Sequence, residues 1–278
     1  MGAADAGEDP LGSERVTPNP VRLDPAVLSR LYLNAVLPCL TDLAEQDGTV
    51  VDDLGQLSAS IAFLVLGGPA ATIRLQRGQV AWQSGCSRNP SVILLFLGDR
   101  HLNAFFSGKK WAAPLPIWGC WRVGLLARFS KLAKRLEAVL DGAPRVLDSA
   151  AGRRLHARLS LITAGLALRV LAEGDAAART VLRSLPPGLA SFTIAGEPRC
   201  TVWFDHGSAA NQVGWGDPPR RPDVCVVFTD IVTAYGALRQ EIDTLAAVGS
   251  GQIRVEGLIP LADGLNAAME RLRVYLKH

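Results

Sequence analysis

Gly251-Gln252-Ile253-Arg254-Val255-Glu256-Gly257-Leu258-Ile259-Pro260-Leu261-Ala262-Asp263-Gly264-Leu265 is the stretch from which the fold is read. Ile253 and Val255 alternate to one side, the period of a half-buried strand. Gly257 breaks the strand, and a closing helix follows with apolar residues at Leu261, Leu265, Met269 and Leu272. A degraded copy stands earlier, in Gly119-Cys120-Trp121-Arg122-Val123-Gly124-Leu125 followed by Phe129, Leu132, Leu136 and Val139. The copy predicts a strand over Cys120 to Val123, a helix from about Leu125 to Leu140, and a tandem repeat.

Working outward, the same order recurs on both sides of Asp141-Gly142-Ala143-Pro144, where the first unit ends. Residues 1–20 carry no apolar period and read as a mobile tail. Units at 21–145 and 146–278 follow. Asp24-Pro25 opens a helix expected to run to about Glu45, with Pro38 as a point of disturbance. Arg158-Leu159 to Glu173 matches it, in register with Arg30-Leu31. Leu54 to Ile73 has no charge and is about long enough to span a bilayer, but Gly67-Gly68-Pro69 interrupts it. A hairpin from Ser60 to Arg77 is therefore expected, matched by Ala190 to Asp205. A strand at Gln79 to Gly85 leads to Val92-Ile93-Leu94-Leu95-Phe96-Leu97, whose unbroken apolar run predicts a strand buried on both faces. Val224 to Phe228 is its partner, and Asp99 and Asp230 are expected to cap the helices that follow. The loop from Lys109 to Trp118, with Pro114 and Pro116, is expected to be irregular.

The 278 residues, 49% hydrophobic and 20% charged, suffice for one large or two ordinary cores. A net charge of +3 is too small to argue for nucleic acid, which needs a concentrated basic face. Cys39, Cys86, Cys120, Cys200 and Cys225 lack any C-x-x-C pair, so neither zinc nor a disulfide framework is indicated. Asp5, Glu8, Asp9 and Pro10 stand where a signal peptide needs a basic start and an apolar run, so a cytoplasmic protein is expected. The Ala-, Arg- and Gly-rich composition is that expected of a bacterium with GC-rich DNA.

Each unit resembles the sterol carrier protein type 2 family: a hairpin with a Gly turn, an x-Pro-x-Val strand, an Asp-capped helix, then a Gly-x-Ile-x-Val-x-Gly strand and a terminal helix. Pro222-Asp223-Val224, Asp230 and Gly251 to Leu265 carry the resemblance in the second unit. The first departs from it: it lacks an equivalent of Glu256 and has Leu126-Ala127-Arg128 where the second has Ile259-Pro260-Leu261. The resemblance implies an α+β fold of two tandem units, each a five-stranded, mainly antiparallel sheet covered on one face by helices. It further implies an apolar tunnel between sheet and helices for sterols, acyl chains or other long-chain lipids. A buried methylene contributes about 0.8 kcal/mol and association costs roughly 4 kcal/mol or more. A ligand held by its tail thus needs on the order of ten methylenes.

Tunnel candidates in the second unit are Val226, Phe228, Tyr235, Leu238, Ile253, Val255, Leu261, Leu265 and Met269. In the first they are Leu94, Phe96, Phe105, Phe106, Val123, Phe129, Leu132 and Leu136. Ordinary core packing is the competing reading for each. Trp111, Trp118 and Trp121 lie in a window from Arg100 to Arg135 with eight Lys or Arg and no acidic residue, Lys131, Lys134 and Arg135 among them. Indoles beside cations suit transient contact with an anionic membrane surface; buried tryptophans beside a solvated basic helix are the alternative.

No catalytic constellation, metal set or cofactor signature is found. His101, His156, His206 and His278 are isolated in sequence, and the glycine clusters lack the strand-helix context of a phosphate loop. Non-catalytic lipid binding or transfer is the leading expectation. Two others stand beside it: an accessory subunit of a lipid-modifying complex, with a vestigial tunnel, an exposed apolar patch and a protein partner, and an enzyme with Tyr235 or Glu256 at a tunnel mouth.

Overall fold

The two halves of the chain build two five-stranded sheets of the same topology. In the computed structural model the described residues are 23–276 without 208, 209 and 240, so the expected tail, residues 1–20, lies outside them. The first sheet contains β1 (Ser58–Val65), β2 (Ala70–Gln76), β3 (Gln79–Ser84), β4 (Val92–Phe96) and β5 (Leu115–Trp118), in the order β3-β2-β1-β4-β5. The second contains β6 (Gly188–Ile194), β7 (Glu197–His206), β8 (Gln212–Trp215), β9 (Val224–Phe228) and β10 (Ile253–Gly257), in the order β8-β7-β6-β9-β10. Each sheet has one parallel pairing, β1 with β4 and β6 with β9, and is otherwise antiparallel. The fold is α+β, with the expected hairpins at β1-β2 and β6-β7.

Helices are interleaved in matching order. The first half has α1 (Pro25–Leu31), α2 (Cys39–Gln46), α3 (Gly48–Leu54), α4 (Asp99–Phe106) and α5 (Val123–Leu140). The rest are α6 (Pro144–Leu147), α7 (Ala150–Gly174), α8 (Ala176–Arg183), α9 (Ile231–Arg239), α10 (Thr244–Gly249) and α11 (Ile259–Leu276). Asp24 caps α1 through the Ala26 amide at 2.9 Å, as its sequence predicts. Pro38 lacks an amide and its ring crowds the preceding turn, so a π-helical turn at Tyr32–Val36 separates α1 from α2. The matching α7 is unbroken and starts earlier than expected, capped by Ser149 Oγ on the Gly152 amide at 2.9 Å.

Helix α7 is long and apolar enough to cross a membrane by length and composition, yet 78% of its most apolar window is buried inside the protein. It packs against α1, the π turn, α2 and α5 on one side, and against β7, α8, α9 and α11 on the other. A helix apolar all round is one surrounded by protein or lipid; here the two halves surround it. Arg158 on α7 and Asp42 on α2, 8% and 1% exposed, tie the halves by a fork of two bonds, Nε to Oδ2 at 2.7 Å and Nη2 to Oδ1 at 2.5 Å.

The repeat extends to individual hydrogen bonds. Ser91 and Asp223, each one residue before the apolar strand, accept from the amides of Ser60 at 3.1 Å and Leu189 at 2.7 Å. Asp47 and Asp175 each follow the long helical segment and receive an arginine from the closing helix, Arg135 Nε at 2.8 Å and Arg271 Nη2 at 3.0 Å. The spacing of these two aspartates matches the Arg30 to Arg158 register read from sequence.

Four expectations are corrected. The strand expected at Cys120 to Val123 is a turn running into α5, and β5 lies at Leu115–Trp118, within the stretch expected to be irregular. An edge strand tolerates Pro116 because only one side of it is paired. Consequently Gly119 matches Gly257, not Gly251: a Cβ on either would stand 2.2 Å from a carbonyl oxygen, Ser91 O or Asp223 O. Val92 to Phe96 alternates between buried and half-buried, and Leu97 is 62% exposed, so this strand is covered on one face only. Asp99 does not cap α4; it accepts from the Ser29 hydroxyl. Asp230 does cap α9, at 2.8 Å from the Thr233 amide.

The two repeated aspartates set an acid limit. Burial by itself would raise the Asp175 carboxyl, but bonds from Arg271, the Ala178 amide and Tyr275 outweigh it and hold it below the ordinary range. Asp47 is lowered likewise, Thr49 and Arg135 outweighing burial. A depressed carboxyl adds stability above its unfolded pKa, near ~4, and loses it as pH falls through the folded value. Asp175→Asn is therefore expected to weaken the protein at neutral pH and to flatten its loss of stability in acid. Urea midpoints at about pH 7 and about pH 3 check this; parallel pH slopes in the two proteins would refute it.

Candidate functional site

Of the apolar residues singled out from sequence, Leu94, Phe96, Val226, Phe228, Ile253 and Val255 lie on strands and the others on α4, α5, α9 and α11. In the first half, Phe129, Phe63, Phe96, Phe105, Phe106 and Tyr32 form a chain of ring contacts from α5 across the sheet to α4 and the π turn. Successive centroids are 5.6, 6.5, 5.5, 5.5 and 4.6 Å apart. Phe96, Phe129 and Leu132 are buried, and Phe105 and Phe106 partly so. In the second half the candidates divide. Val226, Phe228 and Ile253 join the main core, with Leu238 packed on it, whereas Leu261 and Leu265 join a smaller core with Phe204 and Val224. Val255 and Met269 touch both.

Tyr235 and Glu256 are not brought together. The Tyr235 ring meets His156 of α7 at 5.2 Å, inside the helical layer. Glu256 is exposed and pairs with Cys225 on the opposite face of the sheet. Among the described residues no group of three His, Cys, Asp or Glu could hold a metal ion. Burial pushes the Cys39 thiol up to about 12 and the Cys200 thiol to about 11, so both stay protonated at neutral pH.

The outer faces of the two sheets differ where their topology is the same. Two cross-strand rows on the second sheet read Ser191-Cys225-Glu256 and Thr193-Val227-Arg254. Their counterparts on the first read Ala62-Ile93-Trp118 and Leu64-Leu95-Leu115. Charges at the edge of the second sheet are what keeps an exposed strand from pairing with other chains. The first sheet has tryptophan and leucine there, and all four residues of β5 are exposed. Around that edge stand Leu66, Leu97, Trp111, Ile117, Trp121 and Val123, each more than half exposed.

The indoles are exposed and not buried: Trp111 is 71%, Trp118 53% and Trp121 65% exposed. Trp118 and Trp121 meet edge to face at 5.5 Å. Lys109, Lys110 and Arg122 flank them in sequence and are exposed, as are Lys131 and Lys134 on α5. Arg135 is engaged elsewhere, with Asp47. The continuous apolar run Val92 to Leu97 was the sequence signal for this face: alternate residues belong to the core and to the patch.

No protein-family model matches the chain, and no curated protein matches it. Among solved structures the chain is similar to the sterol carrier protein domain 2 of Helicoverpa armigera, a solution structure. The identity is 15% and the TM-score 0.32, over 40% of this chain and 87% of that one. It is also similar to a structure described as UbiJ-SCP2 ubiquinone synthesis protein, at 19% identity and a TM-score of 0.30, over 37% of this chain and 81% of that one.

Proposed function

We propose that the protein binds a long-chain lipid or sterol-like molecule without catalysing a reaction, and exchanges it with an anionic membrane surface through the outer edge of the first sheet. The observation that carries this is the contrast between equivalent cross-strand rows, which end in Glu256 and Arg254 at the β10 edge of the second sheet and in Trp118 and Leu115 at the β5 edge of the first. An uncovered patch of indole and leucine marks an interaction site. Its partner is a lipid surface because indoles favour the headgroup region and because the surrounding window is basic with no acidic residue. A carrier also needs an interior that replaces water around an acyl chain, and the aromatic chain of the first half supplies apolar wall for one.

Flotation with phosphatidylcholine vesicles, with and without phosphatidylserine, tests the surface, and transfer of a fluorescent acyl lipid between vesicles tests the cargo. Each basic residue at an anionic surface contributes about 1 kcal/mol, so Lys109→Gln, Lys110→Gln and Arg122→Gln together are expected to lower partitioning on the order of a hundredfold at low salt. Trp118→Glu, which restores the polarity of the second sheet's row, is expected to abolish insertion of the indoles. Unchanged partitioning in both variants would refute the surface, and absence of lipid uptake and transfer would refute the carrier. The same patch also suits an accessory subunit that docks on a protein partner. That reading gains if the protein ignores vesicles and Trp118→Glu releases a copurifying partner.

A further inference from the structure

A cleft lies away from both the apolar interior and the tryptophan edge. It has a volume of about 590 Å³ and opens between the halves, where α2, α3 and α5 meet α6, α7 and β7. Four arginines line it, Arg135, Arg145, Arg154 and Arg158, with Asp47 and Glu197 as the acidic members. Three of the four have carboxylate partners: Arg135 with Asp47 at 2.8 Å, Arg154 with Glu197 at 2.6 Å, and Arg158 with Asp42 at 2.5 Å. Arg145 is exposed and has no ion-pair partner among the described residues. The start of α7, Ala151 and Gly152, forms part of the wall and adds the positive end of a 25-residue helix.

Arg158 supplies the independent observation. Its residue is 8% exposed, and Nε and Nη2 are spent on Asp42. Nη1 is buried and has no hydrogen-bond partner among the described residues. A planar guanidinium bound side-on through Nε and Nη2 directs Nη1 away from its carboxylate. A buried donor left unpaired costs free energy comparable to a lost hydrogen bond; Arg158 lines the cleft, and a turn of its guanidinium that uncovers Nη1 there would let an acceptor in the cleft remove that cost. Cys200, also in the wall, is a neutral thiol and does not repel an anion.

We propose that this cleft binds the phosphate or diphosphate group of a small organic molecule, with Arg158 Nη1 and Arg145 as its principal donors and Arg154 at the rim. A single carboxylate is satisfied by one guanidinium fork. A tetrahedral polyanion uses donors from several directions, which is what arginines on α5, α6 and α7 together with a helix N-terminus provide. The cleft is far larger than the ion, so the phosphate bears an organic remainder. This inference is independent of the membrane reading, and either can fail while the other holds.

The probe is inorganic pyrophosphate, titrated calorimetrically into the full chain, with thermal unfolding followed in parallel. Binding at or below the millimolar range and a raised midpoint are expected. Arg145→Gln and Arg154→Gln are surface changes outside the tryptophan edge; each is expected to weaken binding about tenfold while leaving the midpoint of the unliganded protein in place. Displacement by glycerol 3-phosphate as well as by short-chain phosphatidic acid assigns the site to soluble phosphate esters; displacement by phosphatidic acid alone assigns it to a lipid headgroup. No heat with pyrophosphate, heat that both variants leave unchanged, or pyrophosphate that neither ester displaces overturns the proposal, the last because the cleft then holds an inorganic ion only.

Discussion

Arg158→Met is expected to cost about 3–5 kcal/mol of folding stability, because it leaves Asp42 charged, 1% exposed and without its fork. Taking both charges away should cost far less. The double variant Asp42→Leu with Arg158→Met removes the desolvation penalty along with the attraction, and is expected to recover most of the loss. Urea denaturation in phosphate-free buffer measures both variants, the slope serving to confirm that the unfolded state is unchanged. A single variant within about 1 kcal/mol of the parent would mean that water reaches Asp42, and the interface between α2 and α7 would be looser than described.

Gly257→Ala is the second large effect. Gly257 has φ +103° and a Cβ there would stand 2.2 Å from Asp223 O, in the backbone of the neighbouring strand. Neither the left-handed strain nor the clash can relax through a flexible side chain, so a loss of about 3 kcal/mol or more is expected. Gly251→Ala is the control: φ is +78° but nothing lies within 4 Å, and only the left-handed strain of about 1–2 kcal/mol remains. Gly119→Ala should behave like Gly257→Ala, since it meets Ser91 O at the same 2.2 Å. If Gly257→Ala and Gly251→Ala proved equally mild, the close approach of strand end to strand start would not be a structural requirement.

Those two glycines also explain where sequence reading succeeded and where it slipped. The strand from Ile253 and the helix after Gly257 were legible because alternation and then a helical period are both strong there. In the first half the same glycine is preceded by Pro114 and Pro116 and followed by Cys120, Trp121 and Arg122. Proline hides an edge strand from any reading based on propensity, and the stretch from Gly119 to Gly124 then reads as the copy in its place. The hairpins and both apolar strands emerged because turn glycines and uninterrupted apolar runs survive divergence. What an apolar run does not tell is which of its faces meets the core, and Val92 to Leu97 has an exposed one.

The arginine cleft had almost no linear trace. Its lining comes from α2, α3, α5, α6, α7 and β7, and only Arg154 and Arg158, one turn apart on the same helix, share a local pattern. Arg158 stands in a helix long and apolar enough to cross a membrane and mostly buried, a position where a charge needs a partner. That partner, Asp42, is 116 residues away in sequence, and nothing local announces it.

The single fork between α2 and α7 also bears on how a chain made of two like halves avoids assembling wrongly. In the common register Arg30 stands where Arg158 does, and Val170 stands where Asp42 does. Two copies of the first half would set Arg30 against Asp42, on a helix broken by Pro38; two copies of the second would bury Arg158 against Val170 with no carboxylate at all. Exchange of halves between neighbouring molecules, the ordinary hazard of duplicated folds, is thereby biased toward one pairing, first half with second. One buried ion pair, present on one side of the pseudo-symmetry and absent from the other, makes the chain its own obligate heterodimer.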